Sequence, residues 1–211
     1  MNIIDHLSWR YATKNFNESQ LINPESLQIL CDAFNLTATS YGLQPIKLVV
    51  IQDKKLQASL VTHSMNQQQV AQASHVFVFC IETNIDKAFI LNYFNRVKQL
   101  RNTPDAILQP FRDFLIEDFS NKQQEAIEDW ATKQAYLAMG NMLTVCATQG
   151  VDACPMEGFN PNKYDEILDL KTKGLKSVLI MPIGYRAEDD IFAGFKKVRK
   201  KVSESVIIHK Q

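Results

Sequence analysis

The sequence lacks the glycine patterns that hold nucleotides in the most common cofactor-binding folds. Its 7 glycines are spread along the chain, and no two are spaced for a GxGxxG turn or for a GxxxxGKS or GxxxxGKT phosphate loop. A nucleotide bound here is therefore held by neither a Rossmann turn nor a P-loop.

Cysteine and histidine are also scarce. The 4 cysteines contain no CxxC pair, and the 4 histidines form no HExxH motif or other metal-ligand spacing. We therefore expect no bound metal. The cysteines lie in apolar sequence, which is typical of buried thiols in a reducing cytoplasm. They are Cys31, Cys80, Cys146 and Cys154.

The chain has no net charge and no long apolar run. Lys+Arg and Asp+Glu each number 23, so no overall field attracts nucleic acid. The longest apolar runs, such as 76–81 and 178–183, are far shorter than a membrane span. The N-terminus lacks the pattern of a secretory signal. We expect a cytoplasmic protein that binds neither a membrane nor nucleic acid.

The length and the apolar content are sufficient for one folded domain. With 211 residues, 45% of them apolar, we expect residues 1–211 to form a single domain. A Phe-rich segment at about 85–119 predicts a helical excursion, interrupted near Pro104 and Pro110. A basic C-terminal segment at 195–211 closes the chain, with 5 cations between 196 and 201.

Hydrophobic patterns predict an α+β fold, in which helices cover a sheet. The second predicted strand is apolar at nearly every position, as in the centre of a sheet. A long helix is apolar almost all round from 135 to 147, which predicts burial on most faces. The predicted strands are 46–53, 75–82, 151–155 and 176–185. The predicted helices are 23–34, Lys54–Val61, Asn121–Gln149 and one that begins at Asn160.

Five segments together resemble the nitroreductase family of FMN-dependent NAD(P)H oxidoreductases. They are RYATKNF at 10–16, TATSYGLQP at 37–45, MNQQQVAQASHVFVFC at 65–80, CPMEGFNP at 154–161 and KKVRKK at 196–201. The resemblance implies a mixed, mainly antiparallel sheet flanked by helices. It also implies a homodimer with a long buried central helix and with FMN at the interface.

The resemblance assigns the FMN phosphate to cations from both ends of the chain. Arg10, Lys197 and Arg199 match the family's phosphate ligands, and guanidinium groups suit phosphate oxygens. Tyr11 and Ala12 occupy neighbouring cofactor-binding positions but depart from the residues that relatives commonly have. Ala12 offers only its backbone N–H, so one hydrogen bond of about 1 kcal/mol is missing. A solvated basic tail is the alternative interpretation of 196–201.

Three polar residues are assigned to the edge of the flavin ring. Lys14 is given a catalytic role, because a cation there stabilises the reduced ring more than the oxidised ring. A surface ion pair is the alternative for Lys14. Asn66 matches an amide that bonds to the pyrimidine edge. Gln69 stands where some relatives have a lysine, which predicts a lower flavin potential than in those relatives.

The segment CPMEGF is assigned to the face of the ring and to its reactive nitrogen. Pro155 and Met156 are expected to pack on the ring. Glu157 is given the second catalytic role, because its backbone N–H, or that of Gly158, is expected to reach flavin N5. An ordinary strand-to-helix loop is the alternative.

The partner chain is expected to complete the site. Ala38, Thr39 and Ser40 resemble the segment that the second subunit lends to the ring and ribityl chain. Tyr41 follows them and is expected to narrow the entrance. The Phe-rich excursion is expected to cover the substrate slot, and core packing is the alternative for each of its phenylalanines. They are Phe111, Phe114 and Phe119.

The resemblance implies that NAD(P)H passes hydride through flavin N5 to flat, electron-poor acceptors, such as nitroaromatics or quinones, in a ping-pong reaction. Two alternatives stay open. One is a flavin-binding or flavin-fragmenting relative without NAD(P)H-driven turnover. The other is a module without flavin whose basic tail binds RNA or an acidic partner; neutral charge disfavours it.

Overall fold

The fold is built on a sheet of four antiparallel strands in the order β1-β2-β4-β3. A computed structural model describes residues 2–209. Met1, Lys210 and Gln211 of the predicted domain 1–211 lie outside the described residues, and the last two also belong to the predicted basic segment 195–211. The strands are β1 Ile46–Ile51, β2 His75–Glu82, β3 Asp152–Ala153 and β4 Leu175–Gly184. The α+β fold with a mainly antiparallel sheet is confirmed.

The central strands β2 and β4 separate two hydrophobic cores. Alternate side chains of a strand point to opposite faces. Phe77 and Phe79 therefore enter one core, which we name the first core, while Val76 and Val78 enter the other, the second core. All four are fully buried. This double burial explains why the sequence of β2 is apolar throughout.

Nine α-helices are present in residues 2–209. They are α1 Ile3–Trp9, α2 Pro24–Asn35, α3 Lys54–Leu60, α4 Gln69–Gln72, α5 Lys87–Arg101, α6 Asp105–Ser120, α7 Gln124–Thr148, α8 Pro161–Ile167 and α9 Val202–Ser205. Helix α2 begins as predicted, because the Asn23 side chain accepts a hydrogen bond from the Ser26 N–H and Pro24 occupies the first turn.

Helix α7 lies against the sheet and fills the first core. Its small side chains Ala131, Ala135 and Ala138 are fully buried, which allows the helix to pack closely. The opposite face is open within one chain, where Tyr136 is 47% exposed and Leu137 is 52% exposed. The helix is thus central and largely apolar, but a single chain does not cover it completely.

Three predicted boundaries were wrong. The residues around Pro110 continue α6, because a proline within a helix removes one backbone donor while the remaining hydrogen bonds hold the helix. The third strand has only two residues, and beyond it single hydrogen bonds from Cys154 and Met156 continue to join the chain to β4. The long helix begins at Gln124 instead of Asn121.

The phenylalanines of the excursion have different environments. Phe119 is buried in the first core, where its ring lies edge-on to Trp130 at 5.0 Å between centroids. A covering role for Phe119 is therefore wrong. Phe111 and Phe114 stack on each other at 6.3 Å and are exposed, so the lid prediction stays open for these two.

Within residues 2–209, no helix is both long enough and apolar enough to cross a membrane.

Replacement of Phe79 tests the packing of the central strand. Phe79→Ala should lower the free energy of unfolding by about 3–5 kcal/mol, because it leaves a cavity beside Phe34 in the first core. Urea unfolding at fixed protein concentration measures this change. Phe114→Ala is the matched control, with an expected loss below about 1 kcal/mol. Equal losses in the two variants would contradict the prediction.

Candidate functional site

The N-terminal motif crosses the end of the sheet in an extended form. Helix α1 ends at Trp9, and Arg10 then takes extended backbone angles. Ala12 forms a parallel bridge to Ala153, and Phe16 forms an antiparallel bridge to Arg186. The motif therefore lies beside β3 and the end of β4, with Phe16 anchored in the second core.

A buried carboxylate joins this motif to the C-terminal part of the chain. One oxygen of Asp190, Oδ2, accepts hydrogen bonds from the Tyr11 hydroxyl at 2.9 Å, the Lys14 N–H at 3.0 Å and the Asn15 N–H at 3.2 Å. The other oxygen accepts from the Phe192 N–H at 3.1 Å. Asp190 is 5% exposed, so its charge is satisfied mainly by these four donors.

A second buried carboxylate supports the same motif. Asp152 accepts a bidentate ion pair from Arg186, with the closest N···O distance at 2.6 Å. The Arg186 guanidinium lies over the rings of Trp9 and Tyr11 at 4.2 and 4.6 Å. Tyr11 is thus held through both its ring and its hydroxyl. Burial and the Asp190 bond raise the pKa of Tyr11, so the phenol keeps its proton.

These contacts shape a cavity of about 440 Å³, which we name the basic cavity. All five residues that were predicted on the phosphate side line it, together with Lys14, which was predicted at the ring edge. The five are Arg10, Tyr11, Ala12, Lys197 and Arg199. The other lining residues are Ser8, Trp9, Phe192, Ala193, Phe195, Lys196 and Val198.

The cations of the basic cavity are not neutralised by the protein. Within residues 2–209, none of Arg10, Lys14, Lys197 and Arg199 forms a salt bridge. Burial lowers the pKa of Arg10, and the charge of Arg199 lowers it further. Burial and the charges of Arg10 and Arg199 likewise lower the pKa of Lys197. Such a group of mutually repelling cations favours a bound anion.

Lys197 ties the basic C-terminal segment to the N-terminal motif. Its Nζ donates a hydrogen bond to the backbone carbonyl of Arg10, 187 positions away. The alternative of a tail that is only solvated is disfavoured for this lysine, because its side chain is engaged at the cavity. Lys200 and Lys201 do not line the cavity.

Sulfur atoms connect the basic cavity to the predicted ring site. The fully buried Cys154 thiol lies 3.6 Å from Lys14 Nζ and 3.9 Å from Gln69 Nε2. Gln69 Nε2 also lies 3.7 Å from Met156 Sδ and donates to Gln67 Oε1 at 2.8 Å. The segments that carry Lys14, Gln69 and Met156 are therefore neighbours, as the ring-edge assignment requires.

A second cavity of about 490 Å³, the apolar cavity, lies beyond Met156. Pro155, Met156 and Glu157 line it together with residues of α7 and β4, which are Tyr136, Met139, Gly140, Leu143 and Leu179. A flat ring placed in this cavity would contact apolar side chains and one carboxylate, that of Glu157. Its position next to Gln69 makes it the candidate ring site.

The loop after Met156 offers free backbone donors at this cavity. In the described part of the chain, the N–H groups of Glu157 and Gly158 donate to no backbone or side-chain acceptor. The Glu157 carboxylate instead accepts from the Tyr136 hydroxyl at 2.6 Å. That bond is the first cause of the raised pKa of Tyr136. The loop thus has the donors that were predicted to reach the reactive nitrogen.

Asn66 lies on an exposed turn that faces the same loop. Met65 and Asn66 both have left-handed backbone angles, with φ of 54° and 57°, and the Gln67 side chain donates to the Gly158 carbonyl at 3.2 Å. A Cβ on Gly158 would lie 3.0 Å from Gln67 Nε2 and 3.1 Å from Met65 Sδ. Glycine at 158 therefore permits the close approach of the two loops.

The predicted partner-chain residues lie apart from both cavities within one chain. Ala38, Thr39 and Ser40 line neither the basic nor the apolar cavity. Ser40 N–H donates to Gln134 Oε1 on α7 at 2.8 Å, and Tyr41 stacks on Trp130 at 6.2 Å. The single chain therefore brings together twelve of the fifteen predicted site residues or their loops, but not these three.

Sequence reasoning missed several residues that organise the site. Asp190, Asp152 and Arg186 build the basic cavity, and Cys154 and Tyr136 connect to the predicted ring residues. Asp190 lies six positions before Lys196 in an ordinary acidic stretch, so only its burial distinguishes it. In the described residues, no group of three or more His, Cys, Asp or Glu side chains is arranged for a metal ion.

The sequence pattern that describes the nitroreductase family matches residues 7–185. The chain belongs to the nitroreductase family, and the resemblance on which the site prediction was based is confirmed.

Known relatives agree with this assignment over almost the whole chain. A Staphylococcus aureus protein provisionally named NAD(P)H nitroreductase is 32% identical over 195 residues, which cover 89% of this chain and 87% of that protein. A Bacillus subtilis structure, provisionally named a nitroreductase, has a TM-score of 0.87 at 20% identity and 98% coverage of both chains. A similarly named structure from Exiguobacterium sibiricum, solved in complex with FMN, has a TM-score of 0.84 at 18% identity, covering 99% and 98%.

The Asp190 contacts predict a loss of stability in acid. Burial alone would raise the pKa of this carboxyl, but hydrogen bonds from Lys14, Asn15 and Tyr11 lower it below its usual 3.8. The unfolded state therefore binds a proton at higher pH than the folded state. The contribution of Asp190 to stability is complete above the usual pKa and is lost as the pH falls through the lowered value.

Unfolding experiments at a series of pH values measure this contribution. The free energy of unfolding of the wild type should fall between about pH 5 and about pH 3. Asp190→Asn should show a smaller fall over that interval, because the variant has no carboxyl to protonate at this position. A fall as steep as that of the wild type would contradict the prediction.

Proposed function

We propose that this chain is an FMN-dependent NAD(P)H oxidoreductase that acts as a homodimer on flat, electron-poor acceptors such as nitroaromatics or quinones, with ping-pong kinetics. The observation that carries the proposal is the convergence of Arg10, Lys197 and Arg199 on one cavity whose lining, in the described part of the chain, contains no carboxylate. A doubly charged phosphate monoester is an anion suited to three such cations.

The neighbouring geometry fits the rest of FMN. Side-chain contacts through Lys14, Cys154, Gln69 and Met156 link the lining of the basic cavity to that of the apolar cavity, in the proposed order phosphate, ring edge and ring face. The relative from Exiguobacterium sibiricum was solved with FMN, and the Staphylococcus aureus relative is named for NAD(P)H and nitro reduction. Both names support the cofactor and the electron donor proposed here.

Each group of residues has a proposed role. Arg10, Lys197 and Arg199 hold the phosphate, with backbone support from Tyr11 and Ala12. Lys14, Asn66 and Gln69 bind the ring edge. FMN, when bound, supplies hydride transfer at N5, and the free N–H groups of Glu157 and Gly158 orient that atom.

The remaining faces are proposed for ring packing and exclusion of water. Pro155 and Met156 present apolar surface at the apolar cavity, which would keep water away from the reacting atoms. The Tyr136 hydroxyl holds the Glu157 carboxylate at 2.6 Å and so limits the motion of the donor loop. Positioning and electrostatics therefore supply most of the proposed acceleration.

A second copy of the chain is proposed to complete each site. Tyr136 and Leu137 leave an apolar strip of α7 exposed, and such a strip on a central helix favours a large interface. Ala38, Thr39 and Ser40 lie apart from both cavities within one chain. Their assigned role at the ring and ribityl chain therefore requires the partner subunit.

The absorption spectrum tests cofactor and reaction together. Purified protein reconstituted with FMN should show the flavin bands, and anaerobic NADPH or NADH should bleach them. Addition of a quinone should then restore the bands. Flavin that stays oxidised with both nicotinamides would instead support a flavin protein without NAD(P)H-driven turnover, and protein that binds no FMN would contradict the proposal.

Charge reversal at Arg199 tests the phosphate assignment. Arg199→Glu should weaken FMN binding by at least about 100-fold, because it removes a cation and places a repelling carboxylate beside the phosphate. Lys200→Glu is the matched control, since Lys200 lies in the same basic run outside the cavity. Fluorescence titration of the apoprotein measures both affinities. Full flavin retention by Arg199→Glu would show that the assignment is wrong.

Replacement of Lys14 tests its electrostatic role at the ring. Lys14→Ala should keep FMN but lower its midpoint potential, because the ammonium stabilises the reduced ring more than the oxidised ring. Lys14→Arg, which keeps the positive charge, should stay closer to the wild type. Spectroelectrochemical titration supplies the potentials. An unchanged potential in Lys14→Ala would refute the role.

A further inference from the structure

We infer that Asp190 is the positioning residue that assembles the phosphate end of the cofactor site, an inference that rests on the proposed function. The carboxylate is not proposed to touch the cofactor. It acts through the backbone between Arg10 and Lys14 on one side and through the turn that leads to Lys197 and Arg199 on the other.

The hydrogen-bond donors to Asp190 come from two distant segments of the chain. Three of the four hydrogen bonds to Asp190 come from Tyr11, Lys14 and Asn15, so they hold the segment that carries both N-terminal cations. The fourth comes from the Phe192 N–H and begins the turn Ile191–Gly194. One side chain therefore sets the position of two segments that are 175 to 179 residues apart.

Asp190 also lies at the point where the buried part of the chain ends. Asp190 is buried, whereas every described residue that follows it, from 191 to 209, is exposed. Asp190 is thus the last buried point before the basic segment. The hydrogen bond from Lys197 to the Arg10 carbonyl is the next contact between that segment and the N-terminal motif.

The cations that line the basic cavity repel one another. Burial lowers the pKa of Arg10 and of Lys197, and the positive charge of Arg199 lowers both further. Asp190 does not offset this repulsion by pairing with them, because its oxygens are engaged by other donors. Its effect on the cavity is therefore geometric, through preorganisation, and not through neutralisation.

The two possible roles predict opposite signs for Asp190→Asn. This variant removes a negative charge and keeps the size of the side chain. By electrostatics alone, that loss of negative charge would tighten the binding of an anion in the basic cavity. It also replaces the acceptor of four hydrogen bonds with an amide that cannot accept them all. Positioning therefore predicts weaker FMN binding, and a purely electrostatic role predicts stronger binding.

The test compares FMN with riboflavin, which lacks the phosphate, in fluorescence titrations of the apoprotein. Asp190→Asn should weaken FMN binding by about tenfold or more and riboflavin binding by less than about threefold. Asp189→Asn is the matched control. It removes the same charge at the adjacent residue, and among the described residues Asp189 accepts a side-chain hydrogen bond only from Asn15. It should change neither affinity by more than about twofold.

Each other outcome has a distinct meaning. Unchanged FMN affinity, or equal losses for FMN and riboflavin, would overturn the inference. Wild-type protein that binds neither flavin would overturn the proposed function instead. If Asp190→Asn does not fold, Tyr11→Phe removes a single donor and should lower the FMN-to-riboflavin affinity ratio by about threefold; an unchanged ratio would overturn the inference.

Discussion

The basic cavity depends on the packing of the N-terminal motif against the C-terminal part of the chain. Arg10 and Lys14 come from the first residues of the chain, and Lys197 and Arg199 come from the last. Like charges do not gather without cost, so other interactions must hold their backbones. The four hydrogen bonds to Asp190 and the Asp152–Arg186 pair supply this support, because buried carboxylates with full sets of donors resist displacement.

The sheet positions the loop at 154–158, which follows β3. Side chains of β2 alternate between the two cores. Strand β4 pairs with β2 on one side and with β3 on the other. The short β3 then releases the chain as Cys154–Gly158, directly beside Gln69 and Lys14. This loop is held at its base, where Met156 bridges to Ile180, and the N–H groups of Glu157 and Gly158 at its tip have no acceptor among the described residues.

The fold was largely predictable because its signals are local. The apolar runs of β2 and β4, the cap at Asn23 and the long pattern of α7 each report secondary structure within a few residues. The errors have the same origin. Pro110 is locally a helix breaker, yet the buried Leu115 and Phe119 farther along α6 hold the helix in the first core.

The sequence by itself determined the family, the element types and the identity of the cations that face the basic cavity, because these reside in short motifs with characteristic residues. Only the tertiary structure decided which groups support those cations. Asp190 lies in no motif that distinguishes it; its importance comes from burial and from neighbours 175 to 179 positions away. Such contacts form when the chain folds, since hydrogen bonds between distant segments are specified by packing and not by local sequence.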